Sequence, residues 1–141
     1  DVDIDTDTDI DIDIGIYGFI PEEIIPQAEL RLSIYKEISS IKENKNLEQN
    51  KKDFIDRFGD VTSEITNLYE LSKLKNIARK LNILGIKYRD ENFSLKLADD
   101  SRLIPPSSKI REIKVSAKDI KSDRLTFIMS KLESFLDKNE I

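Results

Sequence analysis

The chain contains no cysteine and no histidine. The first absence removes disulfides, thiolate zinc sites and a cysteine nucleophile. The second removes the commonest general base and the commonest transition-metal ligand. No apolar run approaches the ~20 residues a bilayer span requires, and no charged leader precedes an apolar segment, so secretion has no support and a cytoplasmic protein is expected. There is no Walker loop, no other glycine-rich phosphate loop and no serine-triad signature. Carboxylate or lysine chemistry survives this filter in principle, but the usual catalytic kit is missing, and the expectation is a protein that is not an enzyme and needs no cofactor or metal.

What is present is charge and aliphatic side chains. Of 141 residues, 36% are Asp, Glu, Lys or Arg and 38% are hydrophobic. That is enough for one domain with a core and too little for two comfortable ones, so a single domain over residues 1–141 is expected. The net charge of −5 is unevenly spread, because residues 1–13 hold seven Asp and no Lys or Arg. The remainder is nearly neutral and carries no dense basic stripe of the sort nucleic-acid binding uses.

From Asp1 to Ile16 acidic and β-branched residues alternate with period two, a strand pattern with one dry and one wet face. Residues 1–9 read as an Asp-rich extension or strand overhang, since the run is long for one strand. An EF-hand reading of these aspartates fails, because the required Gly and Glu positions are filled by Thr and Ile. Same-face aspartates in a strand also stand ~6.8 Å apart, too far to share one ion easily.

Gly15 and Gly18 end the strand, and Pro21 and Pro26 bracket an acidic turn. Glu22 and Glu23 lie in that turn with no positioned nucleophile or oxyanion donor, so they read as structural. The spacing predicts a helix over 27–43 with Leu30, Ile34, Ile38 and Ile41 on one stripe. A connection at 43–46 leads to a second helix over 47–58, with Leu47, Phe54, Ile55 and Phe58 inward and Gly59 as the positive-φ stop. Thr62 or Ser63 caps a third helix carrying Ile65, Leu68, Leu71, Leu74, Ile77, Ala78 and Leu81. A hairpin follows, from Ile86 to Tyr88, through a turn at Arg89 to Asn92, to Phe93, Leu95 and Leu97. After the Pro105-Pro106 loop come a short strand at Ile113, Val115 and Ala117 and a helix over 120–137. The fold class is α+β, a small antiparallel sheet flanked by about four helices.

Asp56-Arg57-Phe58-Gly59 is not the kinase magnesium tripeptide, since Arg57 interrupts it. On a helical wheel Asp53 and Asp56, joined by Gln49, lie opposite the Leu47/Phe54/Phe58 stripe. Such a pair is either a solvated face or a docking site for arginines. Lys73, Lys75, Arg79 and Lys80 make the third helix basic, which is either solvent exposure near a helix C-terminus or a weak nucleic-acid contact.

Taken in order, Phe19-Ile20-Pro21-Glu22-Glu23-Ile24-Ile25-Pro26, Arg31-Leu32 with Tyr35, Asp56-Arg57-Phe58-Gly59, and the leucine-rich helix with Lys75 and Arg79 resemble the C-terminal domain of bacterial transcription-repair coupling factor. The resemblance is carried by residues 10–92, and residues 10–141 are assigned to that domain by it. The family is an ATP-dependent DNA translocase that displaces stalled RNA polymerase and recruits excision repair. The resemblance implies a non-catalytic, autoinhibitory regulatory domain that docks on the N-terminal UvrB-like module of the same protein and masks the surface that UvrA binds. It places Asp53 and Asp56 against that basic surface, with UvrA as the competitor and DNA and RNA polymerase reached through the rest of the parent. The competing function is a nucleic-acid or RNA polymerase accessory module using the basic third helix.

Overall fold

The computed structural model describes residues 10–59 and 61–139. Eight elements follow in order: β1 (Asp11–Asp13), α1 (Ala28–Ser40), α2 (Asn44–Phe58), α3 (Ser63–Lys80), β2 (Ile83–Arg89), β3 (Asn92–Leu97), β4 (Glu112–Ser116) and α4 (Arg124–Asn139). They form two compact units, one running Ile16–Asn76 and the other joining the chain up to Gly15 with Ile77 onward. The α+β class with four helices is as expected from the sequence.

The helical unit is built by amphipathic stripes. Ile34 and Ile38 of α1, Leu47 and Phe54 of α2, and Ile65 and Tyr69 of α3 form its buried core with Ile20 and Ile25 from the preceding loop. That loop is held by α1. The backbone N–H groups of Ile24 and Ile25 both donate to the Pro21 carbonyl, closing the turn. Arg31 Nη1 donates to the carbonyls of Ile25 (2.8 Å) and Pro26 (3.0 Å), and the Tyr35 hydroxyl accepts from Ile20 N–H at 2.7 Å. Arg31 and Tyr35 are one helical turn apart, so one face of α1 satisfies a segment whose prolines prevent it from satisfying itself.

The boundaries of α1 and α2 differ from the sequence reading. α1 stops at Ser40, where the Ser39 and Ser40 hydroxyls turn back to the carbonyls of Lys36 and Glu37. The polar run expected to be a connection instead supplies the first turn of α2, with Asn46 and Leu47 N–H groups donating to the Glu43 carbonyl. Asn44 is anchored there, donating to the Lys73 carbonyl and accepting from buried Asn76, which also donates to the Ile41 carbonyl. Gly59 ends α2 at φ +90° as expected, and Thr62 Oγ1 accepts from Ile65 N–H at the start of α3.

The second unit holds the sheet, in the order β1-β2-β3-β4. β2 and β3 form the expected hairpin, longer by three residues at its start, around Asp90 and Glu91, both at positive φ (52° and 61°). Two consecutive positive φ values give the turn whose twist matches paired strands. β4 pairs antiparallel with β3, but β1 pairs parallel with β2, so the sheet is mixed rather than wholly antiparallel. α1 to α3 intervene in sequence between β1 and β2, a long crossover of the kind parallel pairing needs. Within the described residues the long alternating strand contributes only Asp11–Asp13 to the ladder, and the reading of residues 1–9 as an overhang lies outside them. Gly15, at φ +76°, ends the run.

The dry side of the sheet meets α4, where Phe93 stacks on Phe127 with ring centres 5.9 Å apart. Arg124 lies 4.2 Å over the Tyr88 ring and donates to the Ile14 carbonyl at 2.9 Å. α4 begins at Arg124 rather than near 120, because Asp123 caps it by accepting from Thr126 N–H at 2.8 Å.

One glycine tests the helical unit. A Cβ on Gly18 would collide with the backbone of Asn67 and Leu68. Gly18→Ala therefore costs about 1–3 kcal/mol or more, as overpacking against unyielding backbone does, and a urea titration of the pair of proteins measures it.

Candidate functional site

α2 buries Leu47 and Phe54 and half-buries Phe58, whose ring lies 4.8 Å from that of Phe54. Gln49, Asp53 and Asp56 occupy the opposite, exposed face, where the sequence placed them. The structure joins two of the three: Gln49 Nε2 donates to Asp53 Oδ1 at 3.1 Å, across one helical turn. Asp56 stands exposed one turn further along. Ile55, expected inward, is 39% exposed. At 100° per residue it falls roughly 80° from Leu47, beyond the edge of the buried stripe.

Behind this face runs a hydrogen-bonded chain across three helices. The Tyr69 hydroxyl of α3 donates to Asn50 Oδ1 of α2 at 2.6 Å, and Asn50 Nδ2 donates to Glu37 Oε2 of α1 at 2.8 Å. Tyr69 is fully buried. Its phenol is pushed up to about 12, first by burial and then by the negative charges of Glu37 and Asp53. Glu37, exposed on α1, is tied to α2 through Asn50, and its charge and that of Asp53 both act on the Tyr69 hydroxyl. Sequence reasoning missed Glu37, Asn50 and Tyr69. The available signals were Tyr69 one turn after Ile65 on the apolar stripe, and Asn50 at the inner margin of α2.

The basic residues of α3 are placed differently from an exposed stripe. The Lys73 side chain is only 17% exposed and pairs with Glu48 and with Glu70, the latter at 3.0 Å. Lys75 and Arg79 are partly covered, while Lys80 is exposed. Glu22 and Glu23 lie exposed on an open cleft of about 620 Å³ with Phe19, Pro21 and Arg31. Arg31 is committed to the loop carbonyls there. Among the described residues no group of three or more acidic side chains is disposed to hold a metal ion. What the α2 face can do is accept hydrogen bonds. Two carboxylates one turn apart, with a glutamine amide fixing one of them, suit a partner's guanidinium groups.

The family model described as TRCF domain matches residues 14–108. Transcription-repair-coupling factor of Rickettsia conorii is 30% identical over 127 residues, 90% of this chain and 11% of that protein. That of Rickettsia bellii is 28% identical over 118 residues, 84% of this chain and 10% of that protein. That of Escherichia coli is 31% identical over 86 residues, 61% of this chain and 8% of that protein. The chain thus spans about a tenth of the length of these curated relatives. A crystal structure of the C-terminal domain of transcription-repair coupling factor superposes with a TM-score of 0.75 at 21% identity, covering 94% of this chain and 96% of that one.

Tyr69→Phe leaves Asn50 Oδ1 without its donor and costs about 1 kcal/mol at neutral pH. The native phenol titrates near 12 rather than 10, so the native state holds this proton more tightly than the unfolded chain. Its contribution is whole below the unfolded value and is lost as pH rises through the native one. Denaturant titrations from pH 9 to strong alkali therefore show a loss of stability above ~10 in the parent that is reduced in Tyr69→Phe.

Proposed function

Since this chain belongs to the transcription-repair-coupling factor family, we propose that it is a non-catalytic regulatory domain in transcription-coupled DNA repair, docking through the acidic face of α2 on a basic surface of its parent. The fold agrees with this reading, being that of the C-terminal domain of transcription-repair coupling factor. The observation that carries it is the exposed, pre-arranged set of Gln49, Asp53 and Asp56, with Glu37 of α1 tied to α2 through Asn50. The surface it fits is the N-terminal UvrB-like module of the same protein, where docking masks the site for UvrA and restrains the parent, an ATP-dependent translocase of the bacterial cytoplasm. Opening of the clamp gives UvrA its access.

Magnitudes favour a reversible clamp. Each exposed carboxylate contact is worth about 0–1 kcal/mol, so a few of them hold open and closed states within reach of one another. The alternative, a nucleic-acid or polymerase accessory module working through α3, fits less well. Lys73 is held by Glu48 and Glu70, and its neighbours Lys75 and Arg79 are partly covered.

The test is Asp53→Ala with Asp56→Ala. Both side chains are exposed, so stability shifts by less than ~0.5 kcal/mol. In the full-length parent the pair weakens docking, and UvrA is retained on immobilised protein without stalled polymerase. A variant that melts like the parent protein yet keeps UvrA excluded places the clamp on another face. Salt-dependent DNA binding by the chain itself, lost on changing α3 lysines, favours the accessory module.

A further inference from the structure

Among the described residues the outer face of the sheet carries exposed side chains, and its register brings cations to the middle. Asp11 pairs with Gly85, Gly85 with Lys96 and Lys96 with Glu112. In the next row Asp13 pairs with Lys87, Lys87 with Ser94 and Ser94 with Lys114. Residues directly opposite one another share a face. Lys87, Lys96, Glu112 and Lys114 are exposed, while Ile86, Phe93 and Leu95 are buried on the other side. A trough of about 490 Å³ lies on the open face, lined by Leu84, Gly85, Lys87, Ser94 and Lys96, with Arg111 at one end and Asp11 and Glu112 at its rims.

Two features of β2 create this trough. Leu84 sits where the register shifts between Ile83 and Gly85, and it is 44% exposed. A bulge re-aims a side chain, and here it turns a leucine out of a strand whose neighbours are buried. Gly85 is the second feature. It is not one of the glycines at positive φ. A Cβ there would meet Asp11 O at 3.4 Å, Asp11 Cβ at 3.7 Å and Lys96 Cβ at 3.8 Å, all ordinary contacts. Neither backbone conformation nor crowding demands glycine, although glycine weakens a strand interior. What the missing side chain supplies is depth, of the kind found where a ligand or another backbone comes close.

We propose that this trough docks an acidic, extended segment of a partner protein, its carboxylates meeting Lys87 and Lys96 and an aliphatic side chain lying over Gly85 against Leu84. Neither lysine is engaged in an ion pair with another described residue. Arg111, by contrast, is committed to Asp99 at 2.7 Å and to the carbonyls of Ser108 and Ile110, and serves as a wall. The partner is a peptide rather than a nucleic acid for two reasons. The lining holds no aromatic ring on which a base could stack. Carboxylates at both rims, Asp11 and Glu112, oppose a continuous phosphate backbone but tolerate the spaced charges of a peptide. The site shares no residue with the α2 face.

The test uses the full chain, isotopically labelled and titrated in NMR with a peptide alternating Glu and Leu. A matched Lys–Leu peptide and single-stranded oligothymidylate serve as comparisons. The Glu–Leu peptide shifts resonances of Leu84–Lys87 and Ser94–Lys96, and the Lys–Leu peptide does not. Lys87→Glu with Lys96→Glu lowers affinity by about tenfold or more, the usual cost of reversing charges at such a contact. Gly85→Val lowers it comparably while melting at or above the parent temperature, since a β-branched residue replaces glycine in a strand. The Asp53→Ala, Asp56→Ala protein binds the peptide as the parent does. Shifts that are absent or fall elsewhere, peptide affinity unchanged in a folded Gly85→Val or in the charge reversal, or tighter binding of oligothymidylate would each overturn the proposal.

Discussion

Backbone groups that no regular element can satisfy must find partners among side chains, and both units depend on how this is met. In the helical unit, Arg31 and Tyr35 serve the loop from Ile20 to Pro26, and Asn76 serves the Ile41 carbonyl at the end of α1. In the sheet unit, the buried Ser101 hydroxyl donates to the Leu81 carbonyl and Arg124 to the Ile14 carbonyl. An aliphatic core made of Ile and Leu is not directional, and many packings would bury it equally well. The polar contacts are directional, and they select one path for each loop.

The same division explains what could be read from the chain. Apolar periodicity located α1, α2, α3 and the β2–β3 hairpin, because burial acts on spacing alone. Gly59 and Thr62 marked a stop and a start correctly, as their roles are local. The errors at the start of α2 and at β1 fall where a distant partner decides. α2 begins at Asn44 because that side chain reaches Lys73 and Asn76, thirty residues away in sequence terms and invisible to a helical wheel. The parallel pairing of β1 carries no local signal, whereas a hairpin does. At the candidate site Gln49, Asp53 and Asp56 were legible as the exposed side of a helix. Glu37 and Tyr69 were not, because they join that face only through Asn50.

The acidic face of α2 and the sheet trough differ in the kind of surface each presents. On α2 the groups are acceptors on an exposed helix face, suited to contacts that form and release. On the sheet a missing side chain lies beside Lys87 and Lys96, which yields shape and charge together. Charge contacts on either surface weaken with salt, while the shape of the trough adds selection by size.

The parallel pairing of Asp11 with Gly85 also joins residues far apart in the order of synthesis. During synthesis β1 emerges before the helical residues, and β2 after them. The contacts of Ile16–Asn76 lie within one contiguous stretch, so that unit can close while the ribosome is still adding the strands. β1 must wait, bearing the loop-closure entropy of everything between, until the hairpin offers it an edge. Ile12 and the flanking Ile10 and Ile14 then have no sheet to cover them, and the interleaved Asp11 and Asp13 keep the segment charged and resistant to stray pairing.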